Sequence, residues 1–269
     1  MSQPKPQRYL DTARRAAAAG AAVLAERTGR PLTDTKSGGG DWVTDFDRRA
    51  EQAVRDVIVA AHPADTITGE EYGTTTPAEP SGVEWSIDPL DGTTNFVRGI
   101  VYYATSVAVR DADGVWQAGA VNAPALGVEY YAARGEGAWR TGTAPAAPGT
   151  QAPTPERLTG PDADTDGPLL ATGFGYTLKR HVPQVAALGA LMPGFANMRR
   201  LGSAALDVCL VADGTLDAYA EFGTHVHDWS AAMLIAEEAG VPVLRPEGYP
   251  DWAAAGRINF ERVRSQHVG

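Results

Sequence analysis

The stretch WSIDPLDGTTNF, residues 85–96, constrains the fold more than any other part of the chain. An apolar run leads into two aspartates three positions apart, and a Gly-Thr-Thr turn follows at once. The run reads as a short buried strand, Val83 to Ile87, that ends at acidic residues. Two carboxylates at such a place repel one another, and desolvating a charge costs on the order of several kcal/mol per ion. A cation that holds the pair together removes this cost. The fold must then bring further ligands to that strand end.

Composition says where the cation comes from. The formal charge is -10, from 33 acidic against 23 basic residues, with no Lys/Arg-rich block. Non-specific nucleic-acid binding rests on neutralising many phosphates, so no nucleic-acid partner is expected. A positive centre would have to be bound, as a metal is. Cys209 is the single cysteine, which rules out a disulfide framework and a cysteine-based zinc site. The opening MSQPKPQRYLDTARR lacks the apolar core of a signal peptide, and no run approaches the roughly 18 apolar residues of a membrane span. A cytoplasmic protein with no membrane partner is the expectation.

With 269 residues, 43% of them hydrophobic, the chain can bury a sizeable core. Residues 8–28 read as an alanine-rich helix stopped at Gly29-Arg30-Pro31. A glycine-rich turn, KSGGGDW, precedes a second helix from Thr44 to Ala61, with apolar residues at helical spacing. Ile67 to Gly69 reads as a strand. Tyr103 to Arg110, Val115 to Asn122 and Gly127 to Ala133 read as consecutive antiparallel strands, with Asp113-Gly114 as a hairpin signal. Further on come a strand at Leu169 to Thr172, helices at Val182 to Leu191 and Ala204 to Ala212, a strand at Leu216 to Glu221 and a helix at Trp229 to Ala239. Helices and strands come in groups, which predicts an α+β fold in layers. The expected organisation is an N-terminal half (1–140), a Pro/Ala/Gly-rich connection (141–168) and a C-terminal half (169–269).

Asp47, Glu70, the Asp88/Asp91 pair and Asp228 each stand at the edge of an element. Oxygen-only ligands suit Mg²⁺ or Ca²⁺, and Mg²⁺ is commonly held by a few carboxylates with water and substrate phosphate. Two ions about 4 Å apart can clamp the attacking and leaving oxygens of a phosphoryl transfer. Asp88 could bridge them, with Glu70 on one side, Asp91 and Asp228 on the other, and the Leu90 carbonyl as an extra ligand beside the stiffening Pro89. Gly92 and Thr93 would open a short helix whose N–H groups meet a phosphate. Each residue also has a purely structural explanation. Thr44-x-x-Asp47 is a capping box, Asp228 a natural N-cap, Glu70-Glu71 a solvated turn, and DPLDGT a turn with Asp in preferred places. Their joint occurrence favours the metal. His225 and His227 flank Asp228, where a histidine could orient substrate or a metal-bound water. No G-x-S-x-G and no P-loop is present, since Gly38-Gly39-Gly40 lacks the G-K-[ST] ending.

GEEYG at 69–73, WSIDPLDGTTNFVRG at 85–99 and RRLGSAALDVCLVADGTLDAYAEFGTHVHDW at 199–229 together resemble the inositol monophosphatase family of Mg²⁺-dependent, lithium-sensitive phosphatases. The resemblance covers roughly residues 8–242. It implies an alternating αβαβα sandwich of the sugar-phosphatase type, commonly a homodimer, with about two to three Mg²⁺ per site. It makes Glu70, Asp88, the Leu90 carbonyl, Asp91 and Asp228 the metal ligands. Thr93 and Asp47 match a pair that deprotonates the attacking water near Glu70, Lys36 a lysine near the reaction centre, and Gly92 and Thr93 the phosphate-binding turn. Gly202, Ser203, Ala204 and Glu221 match the substrate-facing segment, and His225 a histidine close by.

Two departures stand out. Val226-His227 occupies the place where the family usually has Pro-Trp, with Trp229 following Asp228. After AEEAGVPVL the family continues into a strand and a closing helix, a pattern that RPEGYPDWAAAGRINFERVRSQHVG fits poorly.

The expected function is hydrolysis of a small polyol phosphate by in-line attack of metal-activated water, with myo-inositol 1-phosphate first. L-histidinol phosphate, or a cyclitol or sugar phosphate of a specialised pathway, is the alternative. A 3'-phosphoadenosine 5'-phosphate substrate ranks lower, because Glu221 suits hydroxyls better than an anionic ring substituent. An aspartyl-phosphate mechanism needs its two aspartates two apart near the start of the domain, and here the spacing is three. A protein that keeps the fold but works only through macromolecular contacts would be free to lose a ligand. None of Glu70, Asp88, Asp91, Thr93 or Asp228 is lost.

Overall fold

The computed structural model describes residues 5–29, 31–38, 41–143, 153–175 and 178–268, with backbone alone at 5, 35–38, 41 and 178. The chain opens with α1 (Lys5–Ala25), the hairpin β1 (Thr33–Gly38) and β2 (Asp41–Thr44), and α2 (Asp45–Ala61). Then come β3 (Thr66–Gly69), β4 (Gly73–Thr75), β5 (Glu84–Asp91), α3 (Thr93–Arg98), β6 (Ala104–Arg110), β7 (Trp116–Ala123), β8 (Val128–Ala133) and β9 (Ala138–Gly142). After β10 (Glu156–Arg157) and β11 (Leu169–Ala171) follow α4 (His181–Leu191), β12 (Asn197–Arg199), α5 (Ala204–Ala212) and β13 (Ala218–Phe222). The last elements are α6 (Val226–Glu238), β14 (Val243–Leu244), β15 (Trp252–Gly256) and α7 (Phe260–Arg264).

Strict alternation along the middle strands puts an eight-stranded sheet, ordered β10-β9-β8-β7-β6-β5-β3-β4, between two cores. On β6 and β8, Val107, Val109, Tyr131 and Ala133 face α1 and α2. Their neighbours Ala104, Ala108, Tyr130 and Ala132 face α5 and α6 instead. Among the residues that pack with α5 and α6, Ala and Val dominate, so helix and sheet approach closely. At Gly119 a Cβ would come 2.9 Å from the Ala231 Cα, so only glycine lets α6 lie this near β7.

A second sheet, ordered β12-β11-β13-β15-β14, closes the other side of α5 and α6. Tyr219, Ala253 and Ala255 point inward to those helices, while Ala218, Ala220, Trp252 and Ala254 point outward to α4 and α7. The layers are therefore helix, sheet, helix, sheet, helix, a layered α+β sandwich as expected.

Several boundaries differ from the sequence reading. The first helix ends at Ala25, ahead of the Gly29-Arg30-Pro31 stop. The strand read as Val83 to Ile87 continues through both aspartates to Asp91. The chain after residue 244, which fits the family pattern poorly by sequence, does form a strand and a closing helix: Trp252–Gly256 pairs with β13, and Phe260–Arg264 is a short helix capped by Asn259. Three alanines in a row favour a helix locally, but burial on both faces of a sheet overrides that propensity. Within the connection read at 141–168, residues 144–152 lie outside the described residues, and Glu156–Arg157 adds an edge strand to the first sheet.

Candidate active site

Three topological facts bring the acidic residues together. The first is a β-bulge. Asp88 pairs with Ser106 on β6 and Asp91 with Ala104, so three steps along β5 match two steps along β6. In a regular strand, residues three apart point to opposite faces. The extra residue restores the phase, and both aspartates face the α5/α6 side. Pro89, which has no N–H to give the ladder, lies within the bulge, and its carbonyl accepts from the buried Thr105 hydroxyl (2.9 Å).

The second is a parallel pairing. β3 runs parallel to β5 with Gly69 opposite Ile87, so Glu70 leaves β3 beside Asp88, at the carboxyl ends of both strands. The turn that carries Glu70 is held from behind by the fully buried Glu51, which accepts from the backbone N–H of Glu71 (2.7 Å) and Tyr72 (3.2 Å). A side chain at position 69 would collide with that carboxylate.

The third is the start of α6. The sequence reading offered Asp228, besides its role as a ligand, as a natural N-cap of a helix starting at Trp229. The helix starts at Val226, His225 is the cap, and Asp228 is the third helical residue. Asp228 Oδ2 accepts from the His225 backbone N–H (2.6 Å), which satisfies a donor the helix start would otherwise leave open. The cap fixes the carboxylate beside the other acidic groups of the cleft.

Asp88 is 2% exposed. Burial drives its pKa well above the usual carboxylate range, and the like charges of Glu70, Asp91 and Asp228 add to the rise. Burial and Asp228 likewise push Asp91 up to about 7, although Ser203 Oγ (2.6 Å), Ala205 N (2.7 Å) and Ala204 N (3.3 Å) all donate to it. Asp228 is raised by burial and Glu70. Oxygen donors converging on one point, each disfavoured as a bare anion, are the donor set a hard divalent cation takes. Among the described residues, Glu70, Asp88 and His227 each bring one potential ligand atom to within 4.8 Å of one another.

Beside the carboxylates, Gly92 adopts φ +97°, and a Cβ there would meet the Tyr102 carbonyl at 3.0 Å and the Gly202 carbonyl at 3.3 Å. This opens α3. Thr93 Oγ1 lies 3.0 Å from the Leu90 carbonyl and 3.3 Å from Asp47 Oδ1. Asp47 serves two roles at once. Its Oδ2 closes the capping box with Thr44 N (2.7 Å) and Thr44 Oγ1 (2.6 Å), which leaves Oδ1 for Thr93. The structural and functional readings of Thr44-x-x-Asp47 are thus compatible.

A cleft of about 560 Å³ joins these groups to Gly202, Ser203, Ala204, Glu221 and His225. Ser203 lines the cleft but is buried, and its hydroxyl is engaged by the protein. It caps α5 and donates to Asp91, which makes it a support for that carboxylate. Glu221 takes a hydrogen bond from the Tyr219 hydroxyl (3.1 Å), and burial together with Asp228 pushes its pKa up to about 8. Lys36 lies on β1, and its side chain is outside the described residues.

Several residues in and around the cleft escaped the sequence reading. Asp207 accepts from the Tyr102 hydroxyl (2.8 Å), and Asn95 donates to the carbonyls of Tyr102 (2.7 Å) and Leu201 (2.8 Å), tying α3 to the start of α5. Arg180 and Arg200 bring positive charge to the wall, and Tyr249 stacks on His225 with ring centroids 4.0 Å apart. Asp207 follows Ser203 by one helical turn, a signal the sequence held. Arg180 and Tyr249 come from remote segments and had none.

With this arrangement in view, the match to known proteins is decisive: the inositol monophosphatase family matches residues 5–267. The chain belongs to that family. It is accordingly a phosphoric monoester hydrolase. A protein of Mycobacterium bovis named inositol-1-monophosphatase is 38% identical over 262 residues, covering 91% of this chain and 87% of that one. A Pasteurella multocida protein named Nus factor SuhB is 36% identical over 253 residues, covering 93% and 89%. The solved structure of Mycobacterium tuberculosis SuhB superposes with a TM-score of 0.75 at 37% identity, over 94% of this chain and 93% of that one. The family match reaches through the C-terminal strand and helix, in agreement with the fold and against the sequence reading of that tail.

Proposed function

We propose that the protein hydrolyses a small polyol phosphate, myo-inositol 1-phosphate first, at a Mg²⁺ centre formed by Glu70, Asp88, the Leu90 carbonyl, Asp91 and Asp228. The observation that carries this reading is the bulge in β5, which turns Asp88 and Asp91 to one face toward Asp228. Divalent ions held there would acidify water and screen the charge of the phosphoryl oxygens.

The protein's own groups supply the rest. Thr93 accepts a hydrogen bond from the attacking water and passes its own hydroxyl proton toward Asp47 Oδ1, whose partner oxygen is fixed by Thr44. Gly92 and Thr93 offer backbone N–H groups to the phosphate. Glu221 holds the leaving group by its hydroxyls, beside the Gly202–Ala204 turn and His225. Ser203, Ala204 and Ala205 keep Asp91 in place. A homodimer and inhibition by lithium follow from the family resemblance, and a cytoplasmic location from the sequence's lack of a signal-peptide pattern; all belong to the same reading.

The test is phosphate release from myo-inositol 1-phosphate, L-histidinol phosphate, 3'-phosphoadenosine 5'-phosphate and fructose 1,6-bisphosphate, each with Mg²⁺, with EDTA, and with Mg²⁺ plus lithium. Mg²⁺-dependent release strongest on the inositol ester, and suppressed by lithium, is expected. A marked preference for histidinol phosphate would transfer the assignment to that alcohol. Equal release with EDTA would remove the metal from the mechanism.

A further inference from the structure

His227 stands where the family usually carries tryptophan, a ring with no lone pair to offer an ion. Its side chain is 14% exposed and lines the cleft. One of its ring nitrogens is within 4.8 Å of a carboxylate oxygen of Glu70 and of one of Asp88, and those two oxygens are also within 4.8 Å of each other. Two ligands that each bind a small divalent ion at about 2.1 Å stand roughly 3 to 4.2 Å apart. A small side-chain adjustment therefore converts the present triangle into one face of a coordination shell.

The ring is also oriented. His227 stacks on His225 at 5.4 Å with 14° between planes, and His225 stacks on Tyr249 at 4.0 Å with 17°. A metal-bound imidazole is commonly oriented by an outer partner, and here a column of rings can do so. Nε2 lies 3.5 Å from Asp228 Oδ1, so the ring also neighbours a third carboxylate.

We propose that His227 is an imidazole ligand on the Glu70 side of the metal centre, and that it turns an oxygen-only site toward transition-metal ions. Imidazole suits Zn²⁺ and the other first-row transition ions better than Mg²⁺, which takes oxygen; Mn²⁺ stands lowest in that series and serves as the paramagnetic probe. The inference rests on the reading of Glu70 and Asp88 as metal ligands. The competing role, a plain ion pair between His227 and Asp228, would act on all cations alike.

The full-length protein loaded with one equivalent of Mn²⁺ is examined by pulsed electron paramagnetic resonance for ¹⁴N coupling. The wild type should show the coupling of a directly bound imidazole. His227→Phe and the polar variant His227→Gln should both lose it, and His225→Phe should keep it. In competition titrations the two His227 variants should lose about tenfold of the preference for Mn²⁺ over Mg²⁺, with Mg²⁺ affinity changed less than about twofold. Thermal melts identify which variants are folded, and a single folded His227 variant suffices. Mn²⁺ bound to wild type without ¹⁴N coupling, or coupling that survives in a folded His227 variant, would overturn the ligand and leave the carboxylate centre standing. Equal losses for Mn²⁺ and Mg²⁺ would reduce His227 to the ion pair. No Mn²⁺ binding at all in wild type would overturn the metal centre as well.

Discussion

Ser203→Ala tests the proposal that Asp91 is an ion ligand kept ionisable by its hydrogen-bond donors. Asp91 receives three donors, and Ser203 Oγ at 2.6 Å is the shortest. A hydrogen bond to a charged group contributes about 1.5–3 kcal/mol. Taking about 2 kcal/mol for this buried one, its loss raises the Asp91 pKa by about 1.5 units, at 1.36 kcal/mol per unit. Asp91 already stands at about 7 in the ion-free site. A cation must displace that proton, so at pH 7 the variant should bind Mg²⁺ about 15-fold more weakly. At pH 9 the carboxyl is ionised in both proteins, and the deficit should shrink to less than about twofold. The sign follows from competition: raising pH removes the proton and restores affinity. Isothermal titration with Mg²⁺ at pH 7 and pH 9 measures both values. The variant also loses the α5 N-cap, about 1 kcal/mol, so a thermal melt must first show that it is folded. Equal affinities at pH 7, or a deficit that persists unchanged at pH 9, would refute the role given to this hydroxyl.

Other outcomes follow from the same structure. Thr93→Val should lower turnover by roughly 10²–10⁴-fold, the usual scale of a lost proton-transfer group, with Mg²⁺ affinity changed only a few-fold; a comparable fall in Mg²⁺ affinity would instead make Thr93 a support for the ions. Glu221 is raised from its ordinary 4.5 to about 8, so the ion-free folded state binds more protons than the unfolded one across that interval. Stability without metal should therefore fall as pH rises from about 4.5 through 8, and saturating Mg²⁺ should flatten the fall; melts that rise with pH would contradict it. Trp252→Ala should cost about 3–5 kcal/mol, because the ring is 4% exposed between β15, α4 and α7 and its indole N–H donates to the Gln266 carbonyl (3.0 Å). Denaturant unfolding with little loss would show that the C-terminal strand is dispensable.

The acidic residues proposed as metal ligands were legible because their chemistry is local. Two aspartates and a glycine in DPLDGT restrict one another within a few residues, and Glu70 and Asp228 mark element ends. How they meet was not legible. Residues three apart on a strand should diverge, and only the register against β6 reveals the bulge that makes them converge. The capping box at Thr44 and Asp47 could be read, yet its second carboxylate oxygen finds Thr93 only through the packing of α2 on β5. Asp228 was misplaced by three positions in its helix because Val226-His227 gives no helix-start signal, and the cap is a backbone contact from His225. The C-terminal strand was not read from the sequence, because the small side chains of Ala253–Ala255 give no strand signal until both faces of a sheet bury them. Arg180 and Tyr249 reach the cleft from segments whose sequence carries no chemical signature of a site.

The most direct test of the metal-dependent phosphatase is inorganic phosphate release from myo-inositol 1-phosphate by wild type and Asp88→Asn, with Mg²⁺ and with EDTA. Asp88 lies at the centre of the carboxylates, and the amide is isosteric but neutral. Mg²⁺-dependent release by wild type, and release lower by orders of magnitude from an equally folded Asp88→Asn, is the expected result. Wild-type rates from Asp88→Asn would contradict it.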